Sequence, residues 1–149
     1  MDEASTSPAD VPYYKTLYEH AKGSGATVWL NPGTATDEAY LNVSDVVFQF
    51  ESPLTSFDSY APPPYLKHYP PSRTGMLVME VPDAASMNAT VVKASAMGAG
   101  WTIVLGTGMG WATPKVPDFW AAEVALLNHS FRPTDTPSLP AATRVAPRF

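Results

Sequence analysis

Short β-forming runs alternate regularly with stretches of helical periodicity, and this alternation constrains the fold more than any other feature of the chain. Ala26 to Asn31 (ATVWLN), Asp45 to Glu51 (DVVFQFE), Gly75 to Val81 (GMLVMEV) and Trp101 to Leu105 (WTIVL) are dense in β-branched, aromatic and aliphatic residues. Asp10 to Lys22 places Asp10 at an N-cap, Pro12 in the first turn, Tyr14, Leu17, Tyr18 and Ala21 at helical spacing, and Gly23 as a stop. A helical turn is expected over Asp37 to Leu41, a helix over Asp83 to Met97 that Asp83 caps and Gly98 ends, and a last helix over Pro117 to Leu127. Such alternation predicts βα units around a parallel sheet, open or closed into a barrel. With 45% hydrophobic residues in 149, the chain can bury a core, and the spacing predicts one unit over residues 1–130.

Two segments depart from the alternation. Ser52 to Thr74 holds Pro53, Pro62, Pro63, Pro64, Pro70 and Pro71 interleaved with Tyr60, Tyr65 and Tyr69, too proline-rich for a helix and long enough to be functional. Residues 131–149, with Pro133, Pro137, Pro140 and Pro147, read as a loose tail.

Composition excludes several classes of function. The net charge is -5, from 9 basic and 14 acidic residues, and no Lys/Arg cluster exists to neutralise a row of phosphates, so nucleic acid is not an expected partner. No apolar run approaches the roughly 18 to 20 residues of a membrane span, and the acidic start Met1-Asp2-Glu3 does not read as a signal peptide, so no membrane association is expected either. Zero cysteines exclude disulfides, Cys-ligated zinc and a cysteine nucleophile. His20, His68 and His129 are isolated, without metal-ligand spacing, and no G-x-S-x-G elbow is present, so no metal and no cofactor is expected. Gly106-Thr107-Gly108-Met109-Gly110 follows a strand, but a dinucleotide fingerprint would need glycine where Trp111 stands, and Pro114 and Pro117 interrupt the helix that should follow.

The chain has four asparagines, and three open an N-x-Ser/Thr triplet: Asn42-Val43-Ser44, Asn88-Ala89-Thr90 and Asn128-His129-Ser130. With Ser and Thr at roughly a sixth of residues, three in four arises by chance about one time in fifty on the reading that such triplets accept N-glycans. That favours a secretory history.

In a parallel α/β sheet or barrel the site lies where strands end. Period-two alternation splits DVVFQFE into Val46, Phe48 and Phe50, suited to packing on helices, and Val47, Gln49 and Glu51, which would face a barrel interior with Glu51 at its rim. Thr27, Trp29 and Asn31 share a face with Asn31 at the end, and Met76, Val78 and Glu80 another, so Glu80 is a second rim carboxylate. Asp2 and Glu3 stand where an earlier strand would end. Glycoside hydrolysis needs two carboxyl groups across a sugar ring, and Asp2, Glu3 and Glu51 can supply them. Neighbours in a regular strand face opposite ways, so only one of Asp2 and Glu3 faces the site unless the strand breaks there. Each carboxylate has a plainer reading too, as a solvated strand end or an acidic N-terminus. Tyr60, Tyr65 and Tyr69 are candidates for stacking on sugar rings or for loop packing. Trp101 and Trp120 read as core, and Trp111, after a strand end, as a residue lining a cleft.

The segments DEAS, VWLNPGT and SDVVFQFE, in this order, resemble the spherulin-4 family, which includes the glycoside hydrolase family 135 enzymes of fungi. The resemblance runs from Asp2 to about Leu127. It implies a (β/α)8 TIM barrel, extracellular or at the cell surface, that cleaves α-1,4 linkages in galactosamine-containing polysaccharide such as galactosaminogalactan. The family's acidic pair falls on Asp2 and Glu3, its later strand-end glutamate on Glu51, and its N-P-G asparagine on Asn31. A barrel needs about 250 residues, so the resemblance implies the C-terminal half, about strands 5 to 8, of a truncated barrel with little activity of its own. The expected substrate-binding residues are Asn31, Gln49, Tyr60, Glu80 and Trp111. The rival expectation is a non-catalytic surface or stress-associated protein that binds glycans through the Tyr60 to Tyr69 loop.

Overall fold

The structure is a computed structural model that describes residues 1–106 and 116–130. Four parallel strands form one sheet in the order β1-β2-β3-β4, with β1 at Trp29–Leu30, β2 at Val46–Pro53, β3 at Thr74–Met79 and β4 at Trp101–Val104. The helices are α1 (Val11–Gly23), the short α2 (Leu54–Phe57), α3 (Ala84–Ala96) and α4 (Trp120–Ser130). Sequential parallel strands joined through helices are the βα arrangement that the alternation predicts.

Local chemistry sets the element ends. Pro12 sits in the first turn of α1, although Asp10 makes no capping bond and instead accepts from Ser5 Oγ at 2.6 Å. Asp37 caps a 3-10 turn at Glu38–Asn42 by accepting from Ala39 N, and Asp83 caps α3 by accepting from Ser86 N. Gly98 takes φ +89 after α3, a left-handed conformation that favours glycine. The proline-rich connection is more ordered than its composition indicates. It contains α2 and two 3-10 turns, Pro64–His68 and Pro71–Arg73, in which proline occupies the first turn, where its missing N–H costs nothing.

One face of the sheet carries the helices. Phe50, Met76, Val78 and Val104 pack with Met87, Val91 and Ala94 of α3, with Phe57 of α2 and with Phe119, while Leu30 and Val47 pack with Tyr14 of α1 and with Tyr40 and Leu41. The other face is built from strand residues alone: Val46, Phe48, Leu77 and Met79, with Trp29, Ile103 and Leu105 against them. Trp29 and Trp101, from the two outermost strands, meet on it with ring centroids 4.6 Å apart. Strands three positions apart are about 14 Å distant in a flat sheet, so the contact reflects a curl toward this face. Gly75 is required here, because a Cβ would come within 2.9 Å of the Phe48 ring.

The alternation in β2 differs from the expected one. The pairing with β3 skips from Phe48↔Gly75 to Phe50↔Met76, leaving Gln49 as a bulge. The bulge turns Phe50 to the helix layer while Phe48 stays on the helix-free face, so the set Val46, Phe48 and Phe50 is divided. Gln49 is fully buried on the loop side, and Glu51, paired with Leu77, returns to the face that bears Phe48. Glu80 is a second correction. Met76 and Val78 lie under the helices, and a Glu80 in step with them would be buried. The chain breaks at Glu80 with φ +58, leaving it exposed beyond the end of β3. Trp101 and Trp120, expected in the core, are 42% and 45% exposed. Trp111, the glycines after Gly106 in the run ending at Gly110, and the tail at 131–149 lie outside the described residues.

Candidate active site

The segment Met1–Ala4 runs beside the end of β1. Asp2 bridges Asn31 in parallel, Asn31 N donates to Met1 O at 2.8 Å, and Ala4 N donates to Asn31 O at 3.0 Å. This pairing sets the acidic pair beside the strand end that Asn31 occupies. Glu3 has φ +50, a conformation that β-bonded residues avoid, so the extended run breaks between the two carboxylates. Asp2 therefore contacts Asn31 while Glu3 also lines the site.

Asn31 is the hub. Its Nδ2 donates to Asp2 Oδ1 at 2.8 Å and to Glu51 Oε2 at 2.5 Å, and its Oδ1 accepts from Gly33 N at 3.2 Å. One side-chain amide thus spends both N–H groups on two carboxylates from different segments and its carbonyl on the turn that follows. Pro32-Gly33 turns the chain back over β2, with Gly33 at φ +69 and its carbonyl accepting from Glu51 N at 2.9 Å. A small pocket of about 200 Å3 results, lined by Glu3, Asn31, Pro32, Gly33, Thr34 and Glu51. Two carboxylates and an amide around one opening at the ends of parallel strands can hold a sugar hydroxyl and exchange protons across a glycosidic bond.

The other expected site residues serve this loop rather than the pocket. Buried Gln49 accepts from Thr36 N at 3.1 Å and donates to Thr36 Oγ1 at 3.2 Å, tying the far end of the N-P-G-T loop to β2. Tyr65 donates to Thr36 O at 2.6 Å and Tyr69 to Glu38 Oε1 at 2.9 Å. Tyr60 donates to Gln49 O at 3.1 Å and packs on Phe50 with centroids 4.7 Å apart; burial, with Tyr65 nearby, pushes its hydroxyl up to about 12. All three tyrosine hydroxyls donate to protein acceptors, and the Tyr60 ring packs against Phe50. Glu80 is not among the residues lining the pocket. A larger hollow of about 450 Å3, which sequence reasoning missed, opens past β3 and β4 between Val81, Asp83, Gly106, Pro117 and Phe119. It is made by the approach of two loops distant in sequence, which no local pattern marks. Among the described residues, no group of three or more His, Cys, Asp or Glu is arranged to hold a metal ion, and no helix is long and apolar enough to cross a membrane.

Fold and site together define a parallel α/β protein with a carboxylate cluster at its strand ends. Residues 1–127 match the family model described as spherulation-specific family 4, and the chain belongs to that family. A stretch of 53 residues is 42% identical to Spherulin-4 of Physarum polycephalum, covering 34% of this chain and 16% of that protein. The fold is similar to that in the crystal structure of Aspergillus clavatus Sph3 in complex with GalNAc, with a TM-score of 0.68 and 19% identity over 85% of this chain. The chain spans about half of that solved protein, 54% of its length.

Proposed function

We propose that this chain carries the acidic site of a glycoside hydrolase and forms the C-terminal half, about strands 5 to 8, of a (β/α)8 barrel. Its substrate is a galactosamine-containing polysaccharide with α-1,4 linkages. The observation that carries the reading is the single Asn31 amide joined to Asp2 and Glu51, with Glu3 on the same pocket wall. The curled, helix-free sheet face supports the half-barrel, since it is the face a closed barrel turns inward. The GalNAc bound to the similar Sph3 supports an amino-sugar ligand, and the family resemblance supports an extracellular or cell-surface setting.

Roles follow from the contacts. Glu51, held at the pocket by the Asn31 amide, acts as nucleophile or as the base that activates water. The sequence makes Glu51, next to Phe50, a candidate for the acid as the carboxyl in the more apolar setting; the bulge turns Phe50 to the helix layer while Glu51 lies on the opposite face, which favours the nucleophile or base role instead. Glu3, the other carboxylate on the pocket wall, donates the proton to the leaving oxygen. Asp2 holds the Asn31 amide in place and is a positioning residue.

The test is release of reducing ends from galactosaminogalactan by a protein of full barrel length that carries this chain. Cleavage that is lost in Glu3→Gln and kept in Tyr69→Phe supports the hydrolase. Binding without cleavage, abolished by tyrosine loss and indifferent to Asp2, Glu3 and Glu51, would establish the non-catalytic glycan-binding reading instead.

A further inference from the structure

Asn31 has a structural task at the pocket; among the described residues no side-chain hydrogen bond engages the other three asparagines. Asn42 ends the 3-10 turn before β2, Asn88 lies on α3 and Asn128 on α4, and all three are exposed. Each opens an N-x-Ser/Thr triplet, whereas Asn31 is followed by Pro32 and Gly33 and opens none. The three lie on the helical layer and at its connection. Neither the helix-free sheet face nor the wall of the 200 Å3 pocket carries such a triplet.

The hydroxyls of two triplets are spent. Ser44 Oγ donates to Tyr40 O at 2.8 Å and Thr90 Oγ1 to Ser86 O at 2.8 Å, and both residues are 2% exposed. In α3, moreover, positions two apart lie on nearly opposite sides of the helix, so the Asn88 amide and the Thr90 hydroxyl cannot be presented to one enzyme together. Once the chain has folded, the triplets at Asn42 and Asn88 are unreadable although their amides stay in water.

We infer that Asn42, Asn88 and Asn128 are N-glycan acceptors, and that Asn42 and Asn88 are modified on the nascent chain before the 3-10 turn and α3 form. The donor is a polyprenyl-diphosphate-linked oligosaccharide. The amide nitrogen attacks C1 of the reducing-end sugar, the N–C1 bond forms, the C1–O bond to the diphosphate breaks, and polyprenyl diphosphate leaves with the electron pair. The amide proton passes to a base of the transferase. Folding then buries the Ser44 and Thr90 hydroxyls and leaves three glycans on the outer layer, clear of the pocket.

The experiment translates the 149-residue chain behind a cleavable leader in the presence of endoplasmic-reticulum microsomes. Protease-protected product is compared before and after endoglycosidase H. Three glycan-sized steps are expected, with Asn42→Gln, Asn88→Gln and Asn128→Gln each removing one and Asn31→Gln removing none. Folded chain offered to solubilised transferase and the same lipid-linked donor stays unmodified at Asn42 and Asn88. Protected chain without an endoglycosidase-sensitive step overturns the assignment, and any one acceptor that stays bare overturns that position. Efficient modification of the folded chain at Asn88 overturns the proposed order of events.

Discussion

Asn31 Nδ2 lies 2.5 Å from Glu51 Oε2, and this bond joins the end of β1 to the end of β2 across the pocket mouth. The amide fixes where the carboxylate points without itself exchanging protons. Asn31→Ala is expected to lower kcat by about 10²-fold, the scale of a misplaced reacting group, while KM changes little. Asn31→Asp, which sets a third carboxylate against Asp2 and Glu51, is expected to be at least as damaging. Steady-state kinetics of both variants in a full-length barrel check this, and a change confined to KM contradicts it.

Asp2 and Glu3, adjacent in sequence, have unequal roles in the proposed mechanism. If Glu3 is the acid, Glu3→Gln is expected to cost about 10² to 10⁴ in kcat on substrates with poor leaving groups, and far less on substrates with good ones. Asp2→Asn is expected to lose rate more modestly, and by a similar factor whatever the leaving group. Equal losses in the two variants, with the same dependence on the leaving group, would refute the division of labour.

Gln49 holds the loop that carries the site. Removing its side chain leaves the Thr36 N–H without its buried acceptor, so Gln49→Ala is expected to cost about 1–3 kcal/mol in chemical denaturation. The helix-layer core is untouched, and the lost stability comes with lost activity as residues 31–36 loosen. Gln49→Glu is expected to be worse, because it buries a charge beside Thr36 Oγ1.

Glu123 of α4 is buried, and its Oε1 accepts from Val104 N at 2.8 Å, taking an N–H on the open edge of β4. Among the described residues its Oε2 has no hydrogen-bond partner. Burial pushes this carboxyl above its ordinary value of 4.5, partly offset by the Val104 N–H. The folded chain therefore keeps the Glu123 proton at pH values where the unfolded chain has lost it. Its contribution to stability is full below the ordinary glutamate range and declines as pH rises through the folded value. Glu123→Gln, which preserves the acceptor for Val104, is expected to flatten that decline. Denaturation midpoints measured from about pH 4 to 8 test it, and parallel curves for the two proteins would contradict it.

Much of this organisation is legible in the sequence, with gaps of a physical kind. Asn31 and Glu51 are recognisable as strand-end residues because Pro32-Gly33 and Pro53 mark where each run closes. The bulge at Gln49 is hidden, since Phe48 and Phe50 are both apolar and look alike whichever face each takes. Glu51 reaches the expected face through that bulge and not through simple alternation. Period-two alternation puts Glu80 in step with Met76 and Val78, but its own left-handed backbone breaks that step, and a φ value leaves no mark in composition. The tyrosines of the proline-rich connection carry the same signal whether they stack on sugars or fasten loops. Their hydrogen bonds to Gln49, Thr36 and Glu38 fasten segments distant in the chain, which no local pattern announces. The Asp2–Asn31–Glu51 linkage joins residues far apart in the chain, and no spacing rule points to it.

The most direct measurement is hydrolysis of galactosaminogalactan by Glu51→Ala in a full-length barrel, with and without added azide. If Glu51 is the attacking carboxylate, cleavage falls by at least about 10²-fold, and azide restores turnover by entering the space the side chain leaves. Hydrolysis at the unmodified rate in Glu51→Ala would contradict the account.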